Sequence, residues 1–424
     1  MREDLLHFIW KYKKLQLTNL VTTLGERLLL LDFGTHNHLA GPDFFNAKID
    51  IDGQVWAGNV EIHLKSSDWY AHYHEEDDNY NNVILHVVWE DDVEVFRKDN
   101  SAIPTLELRK YIPLQLLQSY QKLFDKKDVR FVNCEKDLKE VDDFLVKNWL
   151  ERLYFERLEV KAEFVLELLE KTNNNWEQVL FTLLLKTFGL KINGASFLSL
   201  GAALEFSVFR KQQENVFQTE SLLFGMTHLL EDDEVLDEYY IQLKKEYEYQ
   251  KKKYDLKDEG VLKPQFFKLR PPNFPTIRLS QLANLYGSHF SLFQKVVSAT
   301  SLEEMYTLFE VSASPYWNDH YTFGKESKKS IKRLTPKFID LLIVNAILPL
   351  QFCYAKYQGK DVNESIINII SNIKKEENTV VGNFKTHGLS AGNAQESQAL
   401  LQLYNSYCTQ NKCLQCAVGT NLLR

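Results

Sequence analysis

Residues 41–65 read GPDFFNAKIDIDGQVWAGNVEIHLK. Ala47, Ile49 and Ile51 alternate with Lys48 and Asp50, and Asp52-Gly53 supplies a tight turn. Val60, Ile62 and Leu64 then alternate with Glu61, His63 and Lys65. That pattern predicts two antiparallel strands joined by a two-residue turn. A period of two puts Glu61, His63 and Lys65 on one face, with neighbours about 6–7 Å apart. Asp43 opens the first arm and falls beside that face. Two carboxylates and a cation on adjacent strands form a minimal divalent-metal site. Asp43 and Glu61 would hold Mg²⁺ or Mn²⁺, and Lys65 or His63 would activate water or stabilise developing charge.

In order, spacing and strand placement the stretch resembles the core of the PD-(D/E)XK nucleases. The resemblance implies an N-terminal mixed sheet with flanking helices and nucleic-acid cleavage at that site. One departure is plain: the acid–any residue–lysine element of that pattern reads Glu61-Ile62-His63 here, with the lysine two residues later. Either His63 replaces it or Lys65 reaches back along the same face.

The run after Lys65, SSDWYAHYHEEDDNYNNVILHVVWEDD, is rich in chemistry. Seven of the eleven histidines (7, 36, 38, 63, 72, 74 and 86) fall in the first 86 residues. His86 alone interrupts the apolar run 83–89, which reads as a central strand buried on both faces. A histidine there needs a partner, with Glu61 or Asp43 the nearest suitable groups. His72-x-His74 is the seed of a rival site, because histidine pairs near carboxylates bind Zn²⁺; a solvated, helix-opening segment explains the same residues.

Charge opposes a polyanionic substrate at this site. Residues 1–115 hold 11 Lys+Arg against 19 Asp+Glu, which is the whole net charge of −8. A nucleic-acid contact would have to come from elsewhere. The best basic run is GKESKKSIKRLTPK at 324–337, where Lys328, Lys329, Lys332 and Arg333 follow the aromatic SPYWNDHYTFG. Lys268, Arg270 and Arg278 form a second candidate around a proline-rich break. For both, a solvated charged loop is the plainer explanation.

The chain is expected to be α+β: an αβ domain over 1–115, a helical domain over 116–263, and a second helical domain over 264–424. No continuous run reaches the roughly 18 apolar residues a membrane span needs. The amphipathic start MREDLLHFIWKYKKL is unlike a signal peptide, so a cytoplasmic location is expected. Five cysteines in 424 residues do not make a disulfide scaffold. Three of them, Cys408-x4-Cys413-x2-Cys416, suggest thiolate ligands for Zn²⁺ or an iron–sulfur cluster such as [4Fe–4S]. Cys134 is the expected fourth ligand, and Cys353 reads as core packing. Some PD-(D/E)XK nucleases carry one cysteine before and three after the catalytic region on such a cluster, with different spacing.

Over nearly its full length the chain is similar to an uncharacterised bacterial family, domain of unknown function 2851. The residues that carry this are GPDF at 41–44, VEIH at 60–63, SDW at 67–69, YNNVILHVV at 80–88 and the C-terminal cysteines. That similarity implies no activity. Three readings stay open: a metal-dependent phosphodiesterase acting on nucleic acid, an inactive nuclease-fold scaffold or binding protein, and a zinc hydrolase of small molecules using His72, His74 and a carboxylate.

Overall fold

A computed structural model describes residues 2–124 and 130–423. The fold is α+β, a mixed sheet in the N-terminal region followed by a large helical region. The chain forms two compact units, one built from residues 1–147 and 404–424, the other from 148–403. This differs from the expected breaks near 115 and 263. The helix Pro275–Ser288 packs on the helices Val216–Met226 and Trp176–Phe188, so one core crosses the proline-rich break.

In the first unit, helix α1 (Asp4–Lys11) precedes strands β1 (Leu28–Asp32), β2 (Thr35–His36), β3 (Phe44–Ile51) and β4 (Gln54–Lys65). The short helix α2 (Asp68–Ala71), β5 (Val83–Glu90) and β6 (Thr105–Glu107) follow. The sheet order is β1-β3-β4-β5-β6, with β2 added alongside β3. The pairs β1–β3 and β3–β4 are antiparallel, and β4–β5 and β5–β6 are parallel.

The hairpin follows its sequence. Asp52 and Gly53 take φ of 48° and 90°, the left-handed pair a type I′ turn requires, which Gly53 adopts at no steric cost. The Gly53 N–H donates to Asp50 Oδ1 at 2.7 Å, and Ile51 pairs with Gln54. Near the far end of β3 the register shifts between Phe44 and Ala47, where Asn46 has φ of 59°. This bulge pairs Phe44 with Val60 and so sets Asp43 beside Glu61.

The core lies on both sides of the central strands. Leu5, Leu6, Ile9 and Trp10 of α1 are buried with Phe44, Val60, Ile62, Leu85 and Val87. The Trp10 indole N–H donates to Phe33 O at 3.0 Å, which anchors α1. Six consecutive residues of β5, Val83–Val88, are buried, as a strand with two covered faces requires.

The second unit is helical apart from a two-stranded ribbon at His320–Thr322 and Lys325–Glu326. Among the described residues one helix, Pro336–Tyr357, is long and apolar enough to cross a membrane, although polar residues interrupt its apolar sequence. Most of that helix, 78% of its most apolar window, is buried inside the protein, so core packing accounts for its composition.

Candidate metal centre

Glu61 and His63 project from β4 into a buried space, 5% and 2% exposed. The parallel neighbour β5 brings His86 alongside, in register with Glu61. His63 Nδ1 lies 2.8 Å from His86 Nε2, so the partner of the buried His86 is His63 and not Glu61 or Asp43. In the other direction His63 Nε2 lies 3.1 Å from His72 Nδ1 and 3.6 Å from Glu61 Oε1.

His72 and His74 reach this point because of how α2 ends. His74 N–H bonds to Trp69 O and Tyr73 N–H to Tyr70 O, with Tyr73 at φ of 60° between them. That is a Schellman closure, usually completed by glycine. Here a tyrosine takes the left-handed position, at a cost of about 1–2 kcal/mol. The reversal turns both imidazoles toward β4. His74 Nε2 sits 3.4 Å from Glu61 Oε1, and its ring stacks on Tyr80 at 3.8 Å. Trp69, fully buried, packs edge-on against His74 and Tyr80 and at a tilt against His86. These contacts fix the ring orientations.

The result is a group of three imidazoles, His63, His72 and His74, whose ligand atoms all lie within 4.8 Å of one another. His63 is buried, His74 is partly covered and His72 is exposed, so the group opens on the His72 side.

Electrostatics show what this group lacks. Burial lowers the pKa of His63 to about 2 and of His86 to about 3, with neighbouring imidazoles adding to both shifts. His74 is lowered by burial too. The buried rings are therefore neutral and keep lone pairs. Glu61 is pushed up to about 9, first by burial and then by the charge of Asp43. Neutral imidazoles around a carboxyl held protonated at neutral pH fit a divalent cation, which would restore the carboxylate and take the lone pairs. In the ligating tautomer His63 Nδ1–H donates to His86 Nε2, the outer contact that orients a metal-binding imidazole.

Asp43 adjoins the group. Its backbone N–H donates to Glu61 Oε2 at 3.0 Å, and its Oδ2 accepts from Ile62 N–H at 2.9 Å. The same Oδ2 lies 3.2 Å from Nε2 of His7 on α1. Burial alone would lower the His7 pKa, but the hydrogen bond and charge of Asp43 leave it raised. His7 is a site residue that motif reading missed. The available signal was the crowding of histidines before residue 90.

The other candidates fall elsewhere. Lys65 shares the strand, yet its ammonium lies 3.7 Å from Asp92 Oδ2 and its side chain is 54% exposed, outside the imidazole group. In the second unit Lys328, Lys329 and Arg333 are exposed. Lys332 is buried, donating to Asn318 O and Ser330 Oγ at 2.9 Å with its ammonium over the Tyr321 ring. It stabilises its own loop and is not free for a phosphate. Arg278, of the second basic candidate, is likewise buried over the Phe338 ring.

A family model described as protein of unknown function DUF2851 matches residues 3–379. The chain belongs to this family. The match takes in the whole imidazole group, Asp43 and His7, so the DUF2851 region contains the candidate centre and Cys134 but ends before Cys408. No curated protein and no solved structure matches the chain.

Proposed function

We propose that the N-terminal unit is a metal-dependent hydrolase whose ion is held by His63, His72, His74 and Glu61. The observation that carries this reading is the convergence of three imidazoles with Glu61 Oε1, which lies 3.4 Å from His74 and 3.6 Å from His63. Nitrogen donors select zinc or a related transition ion over Mg²⁺, which prefers all-oxygen shells. The ion proposed from this geometry therefore differs from the Mg²⁺ or Mn²⁺ suggested by the sequence motif. When bound, such an ion supplies Lewis-acid chemistry and makes a water acidic enough to attack near neutral pH.

The chain's own groups divide the remaining work. His86 orients His63, and Trp69 with Tyr80 holds the His74 ring. Asp43 anchors His7, whose raised pKa suits it to accept and return a proton near neutrality. The exposed His72 side gives access from solvent. The acidity of residues 1–115 favours a small substrate over a polyanion.

A nucleic-acid phosphodiesterase is the second reading. It is supported by the Asp43–Glu61 pair and by the element order helix, strand, hairpin, short helix, strand, strand. One experiment separates the two. Protein loaded with Zn²⁺, Mn²⁺ or Mg²⁺ is assayed on small ester, amide and phosphoester substrates and on single- and double-stranded DNA and RNA. The proposed reading expects small-molecule turnover with zinc or manganese, lost at least 100-fold in His74→Ala and unchanged in Lys65→Ala. Nucleic-acid cleavage with Mg²⁺ that is lost in Lys65→Ala would favour the nuclease. Metal binding with no turnover on any substrate would favour a non-catalytic scaffold.

A further inference from the structure

Four of the five cysteines come together from opposite ends of the sequence, all within the first unit. Cys134 lies within electrostatic reach of Cys413 and Cys416, and Cys408 within reach of the other three. Cys134, Cys413 and Cys416 are 9%, 8% and 6% exposed, and none of the four is in a disulfide. A buried thiol behaves as a small apolar group, and four of them in one place need no special backbone to pack.

Here the backbone is shaped around Cys134, Cys408 and Cys413. A helical segment with π-type bonding, Leu403–Cys408, ends on Cys408 and shifts the chain by a residue relative to an α-helix. Asn411, at φ of 54°, reverses the chain toward Cys413. Cys134 sits in a turn closed by Glu135 N–H to Val132 O and Asp137 N–H to Cys134 O. The neighbouring Asn133 Nδ2 donates to Cys413 Sγ at 3.5 Å, an N–H···S contact of the kind that stabilises a thiolate. Gly419 lets the terminal helix close over this loop, since a Cβ there would stand 2.1 Å from Cys413 O. Cys353, alone in the core of the second unit, shows none of this.

We propose that Cys134, Cys408, Cys413 and Cys416 hold one inorganic centre, an iron–sulfur cluster. The choice of cluster over a single ion rests on spread. Four thiolates on one Zn²⁺, with bonds of about 2.3 Å, would stand about 3.8 Å apart. Among the described residues no three of these sulfurs lie within 4.8 Å of one another, unlike the imidazole group. A cubane places each thiolate on a different iron and so accommodates wider separation. The site closes the C-terminal segment onto the segment that follows the sheet, and it is independent of the hydrolase reading.

The test is full-length protein purified anaerobically and reconstituted with Fe²⁺ and sulfide, followed by iron and acid-labile sulfide analysis and visible absorbance. The expected result is about four irons and four sulfides per chain with a broad band near 400 nm, both retained in Cys353→Ser and lost in Cys134→Ser and Cys416→Ser. If these variants fail to fold, the wild-type stoichiometry and a count of alkylatable thiols still decide. Stoichiometric zinc that resists exchange for iron would overturn the cluster assignment. Five freely alkylated thiols with no bound metal would overturn the site.

Discussion

Glu61 is the residue on which the proposed chemistry turns, and its protonation gives a pH signature without any substrate. Its folded pKa is about 9 against 4.5 for the ordinary side chain, because it is buried next to Asp43. Between those values the folded, metal-free protein binds a proton that the unfolded chain does not, so stability falls as pH rises. His63 and His86 act in the opposite sense. Their folded pKa values of about 2 and about 3 lie below 6.5, so stability also falls as pH drops beneath 6.5. The metal-free protein should therefore be most stable near pH 6.5, because below that value the two histidines outweigh the one carboxyl, and should weaken above it. Glu61→Gln should flatten the alkaline arm in chelator-treated protein and lower zinc affinity at least tenfold. Denaturation midpoints from pH 4 to 9, with and without zinc, check both effects. An alkaline arm identical in wild type and Glu61→Gln would show that this carboxyl is not the titrating group.

At the scale of elements, two strands supply Glu61, His63 and His86, and the end of α2 supplies His72 and His74. The second contribution depends on Tyr73, which is 67% exposed and held in the left-handed region. Packing does not explain that conformation, so its cost is carried by the closure that aims the two imidazoles. Tyr73→Gly should relieve the strain, with thermal stability unchanged or raised by about 1 kcal/mol and metal binding kept. Tyr73→Val should cost about 1–2 kcal/mol and weaken metal binding, because a β-branched residue resists positive φ. Calorimetry with zinc titration of both variants reads this. Equal metal affinity in Tyr73→Val and wild type would detach the turn from the site.

Across the whole molecule, legibility followed the range of the interactions involved. The β3–β4 hairpin, the position of Asp43 and the buried β5 were readable because period-two alternation and an Asp-Gly turn are local signals. The direction of Lys65 was not. Alternation assigns a side chain to a face, and Asp92, 27 residues on, decides where the ammonium rests. His7 was equally hidden, since its approach to Asp43 depends on how α1 docks on the sheet. Lys332 looked like part of a solvated basic run, but the carbonyl of Asn318 and the Tyr321 ring hold it inside. The two-unit division also escaped the sequence, because proline-rich composition marks a break in helix and says nothing of whether one core spans it. The imidazole group is likewise a product of tertiary packing: its members come from β4 and the closure of α2, and the sequence showed only their density. The most direct test of the metal centre is anomalous diffraction at the zinc edge from crystals of the full-length protein grown with Zn²⁺. The account predicts a peak bonded to His63 Nε2, His72 Nδ1, His74 and Glu61 at about 2.0–2.2 Å. No peak there at saturating zinc, with His63 Nε2 and His72 Nδ1 still 3.1 Å apart in direct hydrogen bonding, would contradict it.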